Sequence, residues 1–284
     1  MEVSNGDYVS FYMNAAFAGD NLPAFLALFF LFMGRILPII ALVPFFGGKV
    51  LPRPAKVAFA ICLFTIFLPQ LLVATTTPLA LNMAVVIYLV KELFIGLLLG
   101  FFLSIPFIIV QNAGILIDHQ RGGSSLMVND PTMQNQSSPL GTLFNLILIY
   151  LFFTIEGPFT VIELLWQSYE ILPPDQMPSL ALFGEDSEVR EYTMKLLGHV
   201  MILSTQLASP ALIMVLMTDF FLGIANRLAP QVQITFLGMP LKSLLALLII
   251  FFAWHLFNEE IIRQTQKTLN ALFNLIKLFA PTPT

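Results

Sequence analysis

Asp118 and Arg121 stand three residues apart within Gln111–Gly141, a stretch that reads QNAGILIDHQRGGSSLMVNDPTMQNQSSPLG. On one helical turn, that spacing lets a carboxylate and a guanidinium pair. Gly122 and Gly123 follow and can end the turn, because glycine accepts backbone bends that other residues resist. Asp130-Pro131 starts a further turn, with the Asp side chain bonding nearby backbone and Pro fixing φ. Asn129, Gln134, Asn135, Gln136, Ser137 and Ser138 add neutral donors and acceptors that suit a hydrated space. Met127 and Met133 are flexible and polarizable, which suits a surface that must reclose around varied contents. This is the chemistry of hydrogen bonding and sealing. No phosphate-binding glycine loop, nucleophile elbow or zinc helix motif accompanies it, so no enzyme activity and no cofactor are expected.

A second set of charges lies inside apolar runs. Arg35 can pair with Glu92 or Asp219 to hold helices together. Asp219 and Arg227 can flank the inner end of one helix and position the loop 226–242. These four read as structural ion pairs or subunit contacts, because no chain of titratable groups accompanies them to relay protons. Glu156, Glu163 and Glu170 are spaced by seven and return to nearly one helix face. They form either an acidic contact stripe or a solvent-facing helix end, and Gly157-Pro158 can break the stripe. Cys62 is the one cysteine and sits in an apolar run, where a small buried hydrophobe is expected. His119, His199 and His255 lack helical ligand spacing, so no metal site is expected.

The chain that must position these residues is apolar. Of its 284 residues, 13 are Lys or Arg and 17 are Asp or Glu, or 11% charged, against 57% hydrophobic with 28 Phe. Soluble globular chains carry roughly 25% charged residues. Mean hydropathy is +0.85. Too few charges exist to cover that apolar surface in water, and disordered chains are polar rather than apolar. A net charge of -4 with no basic stripe argues against nucleic acid. The expectation is an all-α, multi-helix membrane protein with bent helical hairpins and a central re-entrant plug-like loop.

Six apolar runs approach membrane-spanning length: Leu22–Phe46, Val57–Val73, Leu79–Val110, Leu143–Trp166, Leu196–Ala225 and Leu241–Phe257. No internal repeat or strand-type alternation is evident. The expected organisation is a single membrane domain over 1–284, with N-terminal helices over 22–110, the plug-like loop over 111–141, further helices over 142–257 and an amphipathic terminal helix over 258–284. Asn258-Glu259-Glu260 reads as the N-cap of that last helix. Residues 1–21 hold Glu2, Asp7 and Asp20 and no Lys or Arg, so no secretory signal is expected. Lys49, Arg53 and Lys56 in one connector, and Arg227 and Lys242 in another, read as cytoplasmic. The acidic stretch Glu170–Glu191 reads as outer. Six crossings and an outward N-terminus satisfy these assignments.

A charge near the bilayer centre costs about 2.5–3.5 kcal/mol on insertion scales, so Arg35, Lys91, Glu92, Glu156 and Asp219 should face protein or water. The loop 111–141 exceeds the usual connection of about 4–6 residues. Composition leaves two readings of it open: a solvent-exposed loop with an ordinary surface ion pair, or a re-entrant, pore-lining segment of the kind tolerated where backbone lines a cavity.

Several fragments together carry a resemblance. They are Arg35-Ile36-Leu37-Pro38 with Pro44-Phe45-Phe46-Gly47 and the basic loop Pro52–Lys56, then Lys91-Glu92 with Gly96 and Gly100. The most specific is Gly114…Asp118-His119-Gln120-Arg121-Gly122…Asp130-Pro131…Ser138-Pro139-Leu140-Gly141. Ser209-Pro210, Thr218-Asp219-Phe220, Arg227–Gln231 and Leu237–Lys242 complete the set. The chain resembles the T subunit of the bacterial type III export apparatus, and its Asp-x-Gln-Arg-Gly wording is closer to the injectisome branch than to the flagellar one. The resemblance implies assembly with R and S subunits into a pore-forming export gate of the inner membrane. It also implies neighbouring U-type switch and V-type export proteins, and unfolded substrates in transit. It further implies that the loop bearing Asp118, Arg121, Gly122, Gly123, Met127, Asn129, Asp130, Pro131 and Met133 helps close the resting pore. An assembly of this kind sits largely out of the bilayer plane, which would account for prolines and charges inside apolar runs. Two other classes compete: a secondary transporter for an ion or small solute, which usually shows internal repeats, and a passive membrane scaffold.

Overall fold

The computed structural model describes residues 22–47, 51–75, 82–122, 138–178, 188–228 and 234–278. Among them are eight α-helices and no strand. The helices are α1 (Leu22–Leu42), α2 (Arg53–Ala74), α3 (Met83–Gln120), α4 (Pro139–Thr154), α5 (Gly157–Ile171), α6 (Glu188–Leu228), α7 (Ile234–Phe252) and α8 (Trp254–Leu278). Four helices are long and apolar enough to cross a membrane, and up to six spans result if two bent pairs each count as one. The chain is an all-α, multi-pass membrane protein. Residues 1–21, where the signal-peptide question lies, are outside the described residues.

The six apolar runs become eight helices because two runs break. The fourth stops at Thr154 and resumes at Gly157. Between them Glu156 adopts φ 58°, a left-handed conformation costly for a residue with a Cβ. This break leaves Glu156 outside α5, so the stripe keeps only Glu163 and Glu170 on one helix. The sixth run breaks at Ala253, where the axis turns by 68°. The last helix therefore starts at Trp254 and not at Asn258. Asn258, the expected N-cap, lies inside it, and Glu260 accepts from Arg263 and, at 2.6 Å, from Gln264 Nε2 within the same helix. Part of the stretch 111–141, expected to be a loop, is helical. α3 runs past Val110 to Gln120, and α4 begins at Pro139. Ile117 and Ala113 are buried, so helix extension there is rewarded by packing.

The chain divides into two compact units. One comprises residues 1–104, 158–191 and 268–284, and the other 105–157 and 192–267. In the first, α1 and α3 meet through small residues. A Cβ on Gly96 would collide with the Arg35 carbonyl, and one on Gly100 would lie 3.0 Å from Ile39 Cα. Small residues four apart let two helix backbones approach closely. Phe32, Phe67 and Tyr169 fill the adjoining core, with the Phe32 and Tyr169 rings stacked at 5.7 Å. Large apolar side chains also stay exposed, among them Ile66, Val90, Phe220 and Phe251, as a lipid-facing or partner-facing surface requires. Cys62 belongs to that surface and is exposed rather than buried, since an apolar run does not distinguish a core face from a lipid face.

The glycines make a paired prediction. Gly96→Val should destabilise by at least about 1–3 kcal/mol, because the α1 backbone cannot yield to the added atoms. Gly198→Ala on α6, where nothing lies within 4 Å, should stabilise by about 0.5–1 kcal/mol through helix propensity. Thermal unfolding of the purified chain in detergent checks both signs.

Candidate functional site

Two clusters of buried polar groups stand out, one in each unit. In the first unit, Arg35 on α1 and Glu92 on α3 are both 0% exposed. Arg35 Nε donates to Glu92 Oε2 at 2.5 Å and Nη2 to Oε1 at 2.9 Å, a two-pronged pairing. Nη1 donates to the Ser168 carbonyl at 2.9 Å and to Ser168 Oγ at 3.1 Å, and Nη2 also donates to the Leu172 carbonyl at 2.9 Å. All five guanidinium donors are matched. The Tyr169 ring lies 4.0 Å from Arg35 Cζ. Lys91 Nζ donates to the carbonyls of Pro173, Pro174 and Gln176 at 2.9–3.0 Å and lies 2.7 Å from Glu92 Oε1. Both cations thus bond carbonyls at and just beyond the end of α5, where the helix dipole is negative; those of Ser168 and Pro173 also accept from the Leu172 and Gln176 N–H groups. Buried Asp175 supplies a second carboxylate near Lys91, so two positive and two negative groups balance.

The second unit holds the Asp118 cluster. Asp118 sits on the last turn of α3, is 0% exposed, and uses both carboxylate oxygens. Oδ1 accepts from Arg121 Nε at 2.7 Å, with Nη2 at 2.6 Å. Oδ2 accepts from Ser138 Oγ and from the Leu140 N–H at 2.9 Å. Ser138 is also the N-cap of α4, its Oγ accepting from the Gly141 N–H at 2.9 Å, and Pro139 follows at the first helical position. Gly122 ends α3 with φ 87°, the left-handed conformation that helix termini favour. Gly114 and Gly141 allow α3 and α4 to touch: a Cβ on Gly114 would lie 2.5 Å from the Gly141 nitrogen. Arg121 Nη1 donates to Ser243 Oγ on α7 at 3.0 Å.

One carboxylate therefore fastens both ends of the segment 123–137. The expected pairing of Asp118 with Arg121 is present, and Gly122 ends the turn. Gly123, Met127, Asn129, Asp130, Pro131 and Met133 lie outside the described residues. Of the alternatives for Arg35, the partner is Glu92. Asp219 belongs to the second unit, is exposed, and pairs instead with Lys242, joining α6 to α7. Arg227 is exposed on the last turn of α6, where a cation suits the dipole.

The sequence reading missed Ser138 as a bridge, Ser243, and Lys91 with its three carbonyls. The first carried a signal: Ser-Pro before an apolar run marks a helix start. The carbonyl partners carried none, since any residue type supplies a carbonyl.

Residues 26–268 match the protein family described as bacterial export proteins, family 1. The chain belongs to that family. Relatives in it include the Yop proteins translocation protein T of Yersinia pestis, 28% identical over 192 residues, covering 67% of this chain and 70% of the relative. The flagellar biosynthetic protein FliR of Pectobacterium carotovorum subsp. carotovorum is 30% identical over 233 residues, covering 79% and 86%. The surface presentation of antigens protein SpaR of Shigella flexneri is 35% identical over 161 residues, covering 57% and 60%. The resemblance to T subunits drawn from the motif fragments is thus borne out. The family match encloses both clusters, from Arg35 through Asp118 to Ser243.

Proposed function

We infer that the chain is a structural and gating subunit of a type III protein export gate. It helps form and seal an inner-membrane pore through which unfolded substrates are secreted, and it catalyses no reaction itself. R and S subunits of the gate, a U-type switch protein and a V-type export protein are its partners. Family membership supports the setting. The single observation that carries the gating part is the Asp118 carboxylate, which bonds Arg121 on one side of the segment 123–137 and Ser138 and Leu140 on the other. A segment whose two ends are tied to one buried anchor starts and finishes at a fixed point, as a stopper must. Its polar, nearly uncharged composition suits a hydrated lumen, and Met127 and Met133 suit a deformable seal.

Replacing residues 124–136 with a short Gly-Ser linker should leave the chain in its complex, because among the described residues the Asp118 bonds go to Arg121, Ser138 and Leu140, outside that range. The resting membrane should then leak ions or small dyes. Dye efflux from cells or vesicles carrying the assembled complex measures this. An assembled complex that stays tight overturns the gating reading and leaves only the structural one.

A further inference from the structure

A cavity of about 500 Å³ opens in the second unit between α3, α6 and the first turns of α8. Three helix irregularities converge on it: Pro106 inside α3, Pro210 inside α6, and Ala253 between α7 and α8. A proline removes one i→i−4 bond and pushes the preceding turn aside. The 68° turn at Ala253 swings α8 away from the line of α7. Helices that would otherwise pack flush leave a space instead.

The lining is apolar where it is buried and charged where it is exposed. Val110, Leu203 and Ile261 are buried, with Leu207 and Phe257 half-buried beside them. Glu259 and Arg263 are 63% and 61% exposed and form the rim with Glu260, while Gln206, Ser209, Gln264 and Thr265 add neutral polar groups. Trp254 and His255, at the start of the same helix, are also exposed. Aromatic side chains with a polar edge favour the membrane–water boundary.

Size and polarity together restrict the occupant. Ligand cavities run to about 300–1,000 Å³. A wholly polar solute would leave some of its own groups unpaired against Val110, Leu203 and Phe257. In a multi-pass membrane protein, the apolar matter at hand is acyl chain. The rim then selects the headgroup. Glu259, Glu260 and Arg263 sum to one net negative charge, counting two carboxylates against one guanidinium. Arg263 is already bonded to Glu260, and Gln264 donates to the other Glu260 oxygen. Glu259 has His255 Nε2 at 3.3 Å on its exposed side. Such a rim repels an anionic headgroup and attracts an ammonium.

The geometry points to a binding site for a zwitterionic phospholipid with a primary-amine headgroup. One acyl chain enters between α3 and α6, the ammonium sits against Glu259, and the phosphate lies toward Arg263. Bound lipid fills the void beside Pro106 and braces the half of α3 that ends in Asp118.

The test uses the full chain, alone and in its assembled complex, placed in nanodiscs of equal parts phosphatidylethanolamine and phosphatidylglycerol. Lipid retained after detergent extraction is identified by native mass spectrometry. Phosphatidylethanolamine should be retained over phosphatidylglycerol by roughly tenfold in both preparations. Leu203→Phe with Val110→Phe, which fills the apolar end, should abolish retention. Glu259→Lys, an exposed change that spares folding, should turn the preference toward phosphatidylglycerol. No retained lipid, no headgroup preference, or a preference unmoved by Glu259→Lys overturns the site. Retention by the lone chain that vanishes in the complex also overturns it, since a partner's side chains would then be the occupant.

Discussion

Glu92→Ala should leave little of the chain in the membrane. Glu92 accepts two hydrogen bonds from Arg35 and lies 2.7 Å from Lys91 Nζ, all away from water. Its removal strands two buried cations against one remaining carboxylate, Asp175. Breaking a buried pair by deleting one partner costs about 3–5 kcal/mol, a large share of the roughly 5–15 kcal/mol that holds a domain folded. Immunoblots of membrane fractions, with limited proteolysis of what remains, read the loss. Arg35→Lys should fail nearly as badly, because an ammonium has three donors where the guanidinium uses five. The informative comparison is Arg35→Leu with Glu92→Leu. Replacing both members of a buried pair by apolar groups is often neutral. If charge balance were the whole role, the double variant would accumulate far better than Glu92→Ala. The carbonyls of Ser168 and Leu172 argue otherwise. Both lose their Arg35 donor in the double variant, so recovery should be partial.

This cluster shows what was legible before the structure and what was not. Long apolar runs gave the helices, because burying or lipid-exposing such runs leaves no other form for the backbone. The Asp118–Arg121 pair followed from its spacing, since residues three apart on a helix are neighbours. Arg35 and Glu92 lie 57 positions apart, and only charge in an apolar run linked them. Sequence could name Glu92 and Asp219 as candidates without choosing between them; the packing of Gly96 against the Arg35 carbonyl makes the choice. Asp175 was counted among outer acids, although it is buried beside Lys91, because composition records charge and not depth. The break at Ala253 has no proline or glycine to announce it. The cavity between α3, α6 and α8 was only half signalled: Pro106 and Pro210 stand in the sequence, but the break at Ala253 that completes it does not.

Asp118→Asn should loosen the loop without dismantling the complex. The substitution keeps size and shape but halves the accepting capacity. The carboxylate receives Arg121 on one oxygen, and Ser138 and the Leu140 N–H on the other. An amide has one oxygen, so its NH2 must face either the Arg121 cation or the donors of the α4 terminus. One side of the clamp is lost whichever way the amide turns. Charge-assisted bonds of this kind are worth about 1.5–3 kcal/mol. Losing one raises the population with a detached loop end by roughly one to two orders of magnitude. Assembly should persist, because the Arg35–Glu92 core and the Gly114–Gly141 contact are untouched. The expected result is normal recovery of the complex with a resting dye leak and slower secretion. Ser243→Ala gives the scale for a structural change nearby: it removes only the Arg121–Ser243 bond, about 0.5–1.5 kcal/mol, and should leave the membrane tight. Equal leak from both variants would place the effect in general loosening of α3 against α7. A leak confined to Asp118→Asn ties closure to the anchor that joins Arg121 with Ser138.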